Sequence, residues 1–220
     1  MSFLNSLTGY PAGKQYSITT GSSRSLTLGS GATSWPPSGW VDLNSISRDD
    51  VSLNVPLGFD WYFNGTSYNS VWVCSNMYVT FGSSATTFSP TSTNPALNKI
   101  FFQAADRSYQ RLAYQNASDS TYTRIRVEGT GAPSGTPGSP TVTYEMTFFN
   151  PANTGYVPLI EMLVGLQGAG AGLQGAYTAG GTLLGFSSGF SAGTSYYIKQ
   201  TNFNDSSWTS GVGYVNNSGY

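Results

Sequence analysis

The sequence predicts an all-β protein: an antiparallel β-sandwich, jelly-roll-like, with an N-terminal arm and a Gly-rich C-terminal extension. Three observations predict it. Pro, Gly, Ser and β-branched residues interrupt every window long enough for three helical turns, so helix is almost excluded. Short segments rich in Val, Thr, Tyr and Phe recur at spacings of about ten residues with turn formers between them, the pattern of a sandwich or jelly roll. Finally, two apolar-aromatic runs, Phe59–Phe63 and Val71–Phe81, flank Asn64-Gly65. Asn-Gly tolerates positive φ at both centres of a tight turn, so it is the strongest local signal for a hairpin. The second run alternates Val71, Val73, Ser75 and Met77 against Trp72, Cys74, Asn76 and Tyr78, the period of a strand with one face on a core.

The expected strands, in order, are Gln15–Thr19, Ser25–Leu28, Val51–Val55, Phe59–Tyr62, Ser70–Cys74, Met77–Phe81, Lys99–Ala104, Gln110–Gln115, Tyr122–Glu128, Thr141–Phe149, Leu159–Val164, Leu183–Phe186 and Ser195–Gln200. Tyr122–Glu128 sets Thr123, Ile125 and Val127 against Tyr122, Arg124, Arg126 and Glu128, and Thr141–Phe149 alternates in the same way, so each has a recognisable inward face. The best helical candidate is a single turn at Pro95–Lys99. The loop Gly129–Pro140 has no periodicity and reads as a surface connection. Gly165–Gly193 repeats Gly with Ala and Leu, which reads as an ordered wall or inter-subunit contact, or else as a mobile loop. Three segments result: an N-terminal arm or docking segment over 1–34, a sandwich core over 35–165, and a C-terminal part over 166–220 that completes the sandwich or contacts other subunits.

Composition narrows the function. Charged residues make up 9% of the chain and the net charge is −1, against about 25% charged in an average soluble protein. No basic patch is present to hold phosphates, so nucleic acid is not an expected partner. So little charge leaves little repulsion between copies and suits a chain covered by neighbours in an assembly; the alternative is an extracellular β domain kept soluble by Ser, Thr and Asn. Cys74 is the single cysteine, which rules out an intrachain disulfide, and it reads as a small buried thiol. The N-terminus lacks the charged and apolar regions of a signal peptide, and no run approaches the length needed to span a bilayer. Synthesis and folding in a reducing cytoplasm, without membrane insertion, are expected.

Chemistry is mostly ruled out at this level. The chain has no histidine, which removes Ser-His-Asp and Cys-His mechanisms and histidine metal sites. Ten carboxylates always permit some glycosidase-like pair, but no pair is singled out. Arg48-Asp49-Asp50 reads as a solvated turn, and no Asp-x-Asp-x-Asp-Gly calcium loop exists. The expected catalytic, metal and cofactor sites are therefore none. Aromatics can stack on the apolar face of a sugar. Trp35, Trp40, Trp208 and Tyr214 lie in turn-rich segments and are the glycan-stacking candidates, whereas Trp61 and Trp72 lie in strands and are assigned to the core. Phe3, Leu4, Leu7 and Tyr10 are the candidate assembly contacts on the arm.

The stretch from Phe59 to Gly82 resembles nidogen-like and related extracellular β-sandwich modules. There an aromatic-Gly-Thr-x-Tyr turn precedes a Val-x-Val-x-Ser-Asn-Gly-Tyr-Leu-x-Phe strand pair. The likeness continues through Lys99–Asp106, Tyr122–Gly129, Tyr144–Phe149 and Ile160–Val164. The whole resembles structural proteins of tailed bacteriophages, especially those of marine bacteria, and covers roughly residues 50 to 165. The chain departs from the pattern at Met77, where glycine usually follows Asn. Either Asn76 or Met77 must then adopt a left-handed conformation, or a bulge replaces the hairpin. The pattern is architectural and carries no catalytic residues. It implies a virion structural protein (a tail fibre, adaptor or surface decoration subunit). Such a protein assembles as a homo-oligomer, a trimer or ring, with other virion proteins. The alternative is a carbohydrate-binding module or adhesin for host surface polysaccharide; a polysaccharide-degrading enzyme is third.

Overall fold

The computed structural model describes residues 15–21, 36, 38–43, 49–64, 66–87, 91, 96–130, 142–153, 159–166, 173–181 and 194–201. Strand dominates them. The strands are β1 (Gln15–Gly21), β2 (Val41–Asp42), β3 (Ser52–Phe63), β4 (Thr66–Cys74), β5 (Tyr78–Thr80), β6 (Lys99–Ala104), β7 (Ser108–Asn116), β8 (Tyr122–Thr130), β9 (Val142–Phe149), β10 (Leu159–Leu166), β11 (Leu173–Tyr177) and β12 (Thr194–Thr201). One 3-10 turn, Pro151–Asn153, follows β9. The expected helical turn at Pro95–Lys99 does not form over its described part: Lys99 opens β6 and pairs with Thr80 and Tyr177.

Two antiparallel sheets form the sandwich. The larger runs β1-β12-β10-β9-β8-β7-β2 and the smaller runs β11-β6-β5-β4-β3. Consecutive strands β3 to β6 zigzag through the small sheet, and β7 to β10 through the large one. The chain then returns, giving β11 to the small sheet and β12 to the large one. Part of the segment expected as an arm is a strand: β1 pairs along its length with β12, from Gln15 opposite Thr201 to Gly21 opposite Ser195. The expected strands Ser25–Leu28 and Leu183–Phe186 lie outside the described residues.

The core fills the space between the sheets. From the small sheet come Val55, Leu57, Trp61, Phe63, Val71, Val73, Val79, Phe81, Ile100 and Phe102; the large sheet answers with Leu112, Ile125, Val127, Tyr144, Met146, Phe148, Ile160 and Met162. Alternate positions supply these residues because successive side chains in a strand point to opposite faces. The aromatic centre is ordered by ring contacts: Phe63 stacks on Phe81 at 4.4 Å, and Phe148 meets Trp61 edge-on at 5.2 Å. Trp72 differs from expectation. Its neighbours Val71 and Val73 point inward, so Trp72 lies on the outer face of the small sheet, half-buried. The outer face carries a second cluster, Cys74, Tyr78, Phe101, Ala104 and Tyr177, with Ala85 packed against it. The chain beyond β5 is tied to this face: Thr80 donates to the Ser83 carbonyl at 2.7 Å, and Tyr78 to that of Thr87 at 3.4 Å.

Two turns decide the small sheet. Asn64 has φ of 49° and sits in the two-residue link between Phe63 and its partner Thr66, as the Asn-Gly signal requires. Between Cys74 and its partner Tyr78 the link is Ser75-Asn76-Met77, and Met77 takes φ of 60°. The hairpin therefore survives the missing glycine, with methionine in the left-handed region. Burial holds it there: Met77 is fully buried, and its Cε occupies the space where Gly129 on β8 has no Cβ.

Candidate functional site

Asn76 ties the β4–β5 turn to its surroundings. Its amide nitrogen donates to Asp50 Oδ1 at 3.1 Å and to the Thr87 carbonyl at 3.1 Å, and its side-chain oxygen accepts from Arg107 N at 2.8 Å. The amide is fully buried, so satisfying both ends matters. Asp49 and Asp50, expected as a solvated turn, are partly engaged: Asp49 bridges to Ser108. Burial, and then the charges of Asp50 and Asp106, raise the Asp49 carboxyl above its usual range. Among the described residues no group of three His, Cys, Asp or Glu side chains is placed to hold a metal ion. Cys74 is free and buried, and burial pushes its thiol up to about 11.

The outer face of the large sheet carries a charged and aromatic row. Arg126 Nη2 lies 2.7 Å from Glu145 Oε2, and Arg124 Nε lies 3.4 Å from Glu145 Oε1. Glu145 is 3% exposed, so two guanidinium groups offset the cost of removing its charge from water. The row ends in rings: Arg124 stands 4.7 Å over Tyr122, and Arg126 stands 5.4 Å over Trp40. One face of Trp40, a glycan-stacking candidate, is thus occupied by Arg126. The other candidates, Trp35, Trp208 and Tyr214, lie outside the described residues, as do the assembly candidates Phe3, Leu4, Leu7 and Tyr10.

A second surface, absent from the expectations, lies on the edge strand of the small sheet. Pro56 pairs with Ser70 and Trp61 with Tyr68, so residues 57–60 of β3 face only Asn69 on β4. This wide bulge forms where Pro56-Leu57-Gly58 interrupts the strand signal; Gly58 has φ of 77°, which glycine adopts at no steric cost. The bulge is held from beneath. Leu57 is buried in the core, and the Thr123 hydroxyl on β8 donates to its carbonyl across the sandwich. Above it opens a trough of about 610 Å³, lined by Asn54, Pro56, Gly58, Phe59, Asp60, Asn69 and Ser70. A smaller hollow of about 260 Å³ shares Asp60, Asn69 and Ser70 and reaches Tyr68 and Gly82. Asn54 donates to Ser70 Oγ at 3.1 Å, whereas Asp60 and Asn69 spend no side-chain atom on a partner among the described residues. Among the described residues, Asp60 is the only charged group in either hollow. The arrangement offers a carboxylate and an amide to a polar ligand, beside the half-buried ring of Phe59. A register slip has no composition signature, so only the Pro-x-Gly interruption of β3 marked this place in the sequence.

A family model described as NIDO related matches residues 15–134, more than half of the chain. No curated protein matches significantly, and neither does any solved structure.

Proposed function

We propose that this chain, which belongs to the NIDO-related (nidogen-related) family, is a structural subunit of a tailed-bacteriophage virion, a tail fibre, adaptor or decoration protein that acts by oligomeric assembly. The observation that carries this reading is the scarcity of charge: nine basic and ten acidic residues in 220. Electrostatic repulsion between copies is correspondingly weak, and apolar and backbone contacts are free to drive symmetric association. Several of the charges that do exist are spent internally, as in the Arg124–Glu145–Arg126 row. The bacteriophage setting is supported by the resemblance of residues 50 to 165 to phage structural proteins. The test is the native mass of the purified chain by light scattering across a concentration series. A stable trimer or larger ring is expected; a monomer at every concentration overturns the assembly role.

A second reading, a carbohydrate-binding module for host attachment, is favoured by one observation, the polar trough on β3 and β4. The two roles are compatible in a fibre that both assembles and attaches.

A further inference from the structure

We infer that the trough over the β3 bulge is a binding site for a neutral glycan, held through Asp60, Asn69 and the Asn54–Ser70 pair and flanked by the rings of Phe59 and Trp72. This deepens the attachment reading and stands whether or not the chain oligomerises.

Four features point to that ligand class. The free polar groups are a carboxylate and a carboxamide, which together accept from and donate to adjacent sugar hydroxyls. Two acceptor oxygens on Asp60 suit a pair of neighbouring hydroxyl protons, and such charge-assisted bonds are the strong ones. Apolar surface stands beside them. Phe59 is half-buried against the core, and Trp72 lies directly opposite Asn54 on the same outer face. Rings so placed can cover the C–H face of a pyranose. Among the described residues the trough's charge is single and negative, which disfavours uronic or sialic acids and provides too few oxygens for a bare divalent cation. Lastly, the floor is rigid: the buried Leu57 and the Thr123 bond hold the bulge, so little ordering is left for binding to supply.

A peptide is the competing occupant of an edge strand, because an extended chain can extend a sheet by backbone pairing. β3 blocks that mode. Pro56 has no N–H to donate, and residues 57–60 leave the register, so no continuous ladder remains at this edge.

The experiment presents the full chain to an array of immobilised neutral hexose oligosaccharides, with sialylated and uronic-acid glycans alongside, and titrates the hits by calorimetry. Neutral glycans are expected to bind, and Asp60→Asn and Asn69→Ala are each expected to weaken binding about tenfold or more. Both positions are exposed, so the melting temperature and native mass are expected to hold. Trp72→Ala also weakens binding, whereas Trp40→Ala on the opposite sheet leaves it intact. Binding to acidic glycans alone, no binding at all, or loss with Trp40→Ala but not with Asp60→Asn would overturn the inference. A monomer that binds sinks the assembly role alone; an oligomer that binds nothing sinks this site alone.

Discussion

At the scale of single residues, Met77 shows two opposing terms and which one wins. A left-handed φ costs a non-glycine residue about 1–2 kcal/mol, and the family pattern places glycine there. Emptying a fully buried methionine site costs about 2–5 kcal/mol. Packing therefore outweighs strain, and Met77→Gly is expected to destabilise the fold by about 1–3 kcal/mol in denaturant titration. Gly129 is the complementary half. A methyl group added there would overlap Met77 Cε and stand 2.9 Å from the Ser108 carbonyl oxygen, so Gly129→Ala is expected to destabilise by about 1–3 kcal/mol. Because the two sites share one space, the double variant should be less destabilised than the sum; strict additivity would mean that they do not interact. Lys99 makes a different prediction. It is fully buried, its Nζ donates to the carbonyls of Leu97 at 2.9 Å and Thr178 at 3.0 Å, and burial lowers it to about 8. Between that value and the ordinary 10.5 the unfolded chain holds more protons than the folded one, so stability rises with pH from about 8 upward. Near pH 9 the sign reverses, since burial holds the Cys74 thiol at about 11 instead of 9.0 and keeps Tyr78, Tyr109 and Tyr144 above their ordinary value, and unfolding then releases protons. Melting temperatures between about pH 7.5 and 8.5 should rise in the native chain and lose that rise in Lys99→Met.

At the scale of elements, the strands with clean alternation were legible and those made by their partners were not. β8 and β9 read directly because polar and apolar positions alternate along paired antiparallel strands, which separates the apolar inward face from the polar one even though the polar side of β9 is also buried. β11 did not, because Gln174-Gly175-Ala176 has no strand preference of its own; pairing with β6 and burial of Ala176 and Tyr177 make it a strand. Val51–Val55 and Phe59–Tyr62 read as two strands because the bulge between them looks like a turn in one dimension. The trough on that bulge shared the same fate, since its members are brought together by register rather than by spacing. Trp72 was misassigned for a related reason: an aromatic residue in a strand shows no side until the neighbouring strands are placed. β1 gives the prediction at this scale. It covers the open edge of β12 over seven paired positions, so removing residues 1–21 should expose an unpaired edge. A lower melting temperature and concentration-dependent aggregation are expected; an unchanged melting curve would show that β1 adds nothing to the sheet.

For the whole molecule, the residues that match the family model do not complete the sandwich by themselves. Residues 15–134 hold β1 to β8, while β9, β10 and β12 lie between β8 and β1 in the large sheet. The charge balance, the aromatic core and the all-β class were legible from composition, because each is a sum over many residues and survives errors in any one element. The order of strands was not legible, because it depends on pairings between segments as far apart as Gln15 and Thr201.

That last pairing sets how the module responds to mechanical load. Gln15 and Thr201 face each other at one end of an antiparallel pair, so the flanking chain on either side departs from neighbouring points. Tension applied across those two points pulls perpendicular to the strands, along the hydrogen bonds, and meets them in succession rather than together. Force transmitted through both flanks would peel β1 from β12 like a zip at low load, whereas force carried by one flank and the trough would run through the packed sandwich.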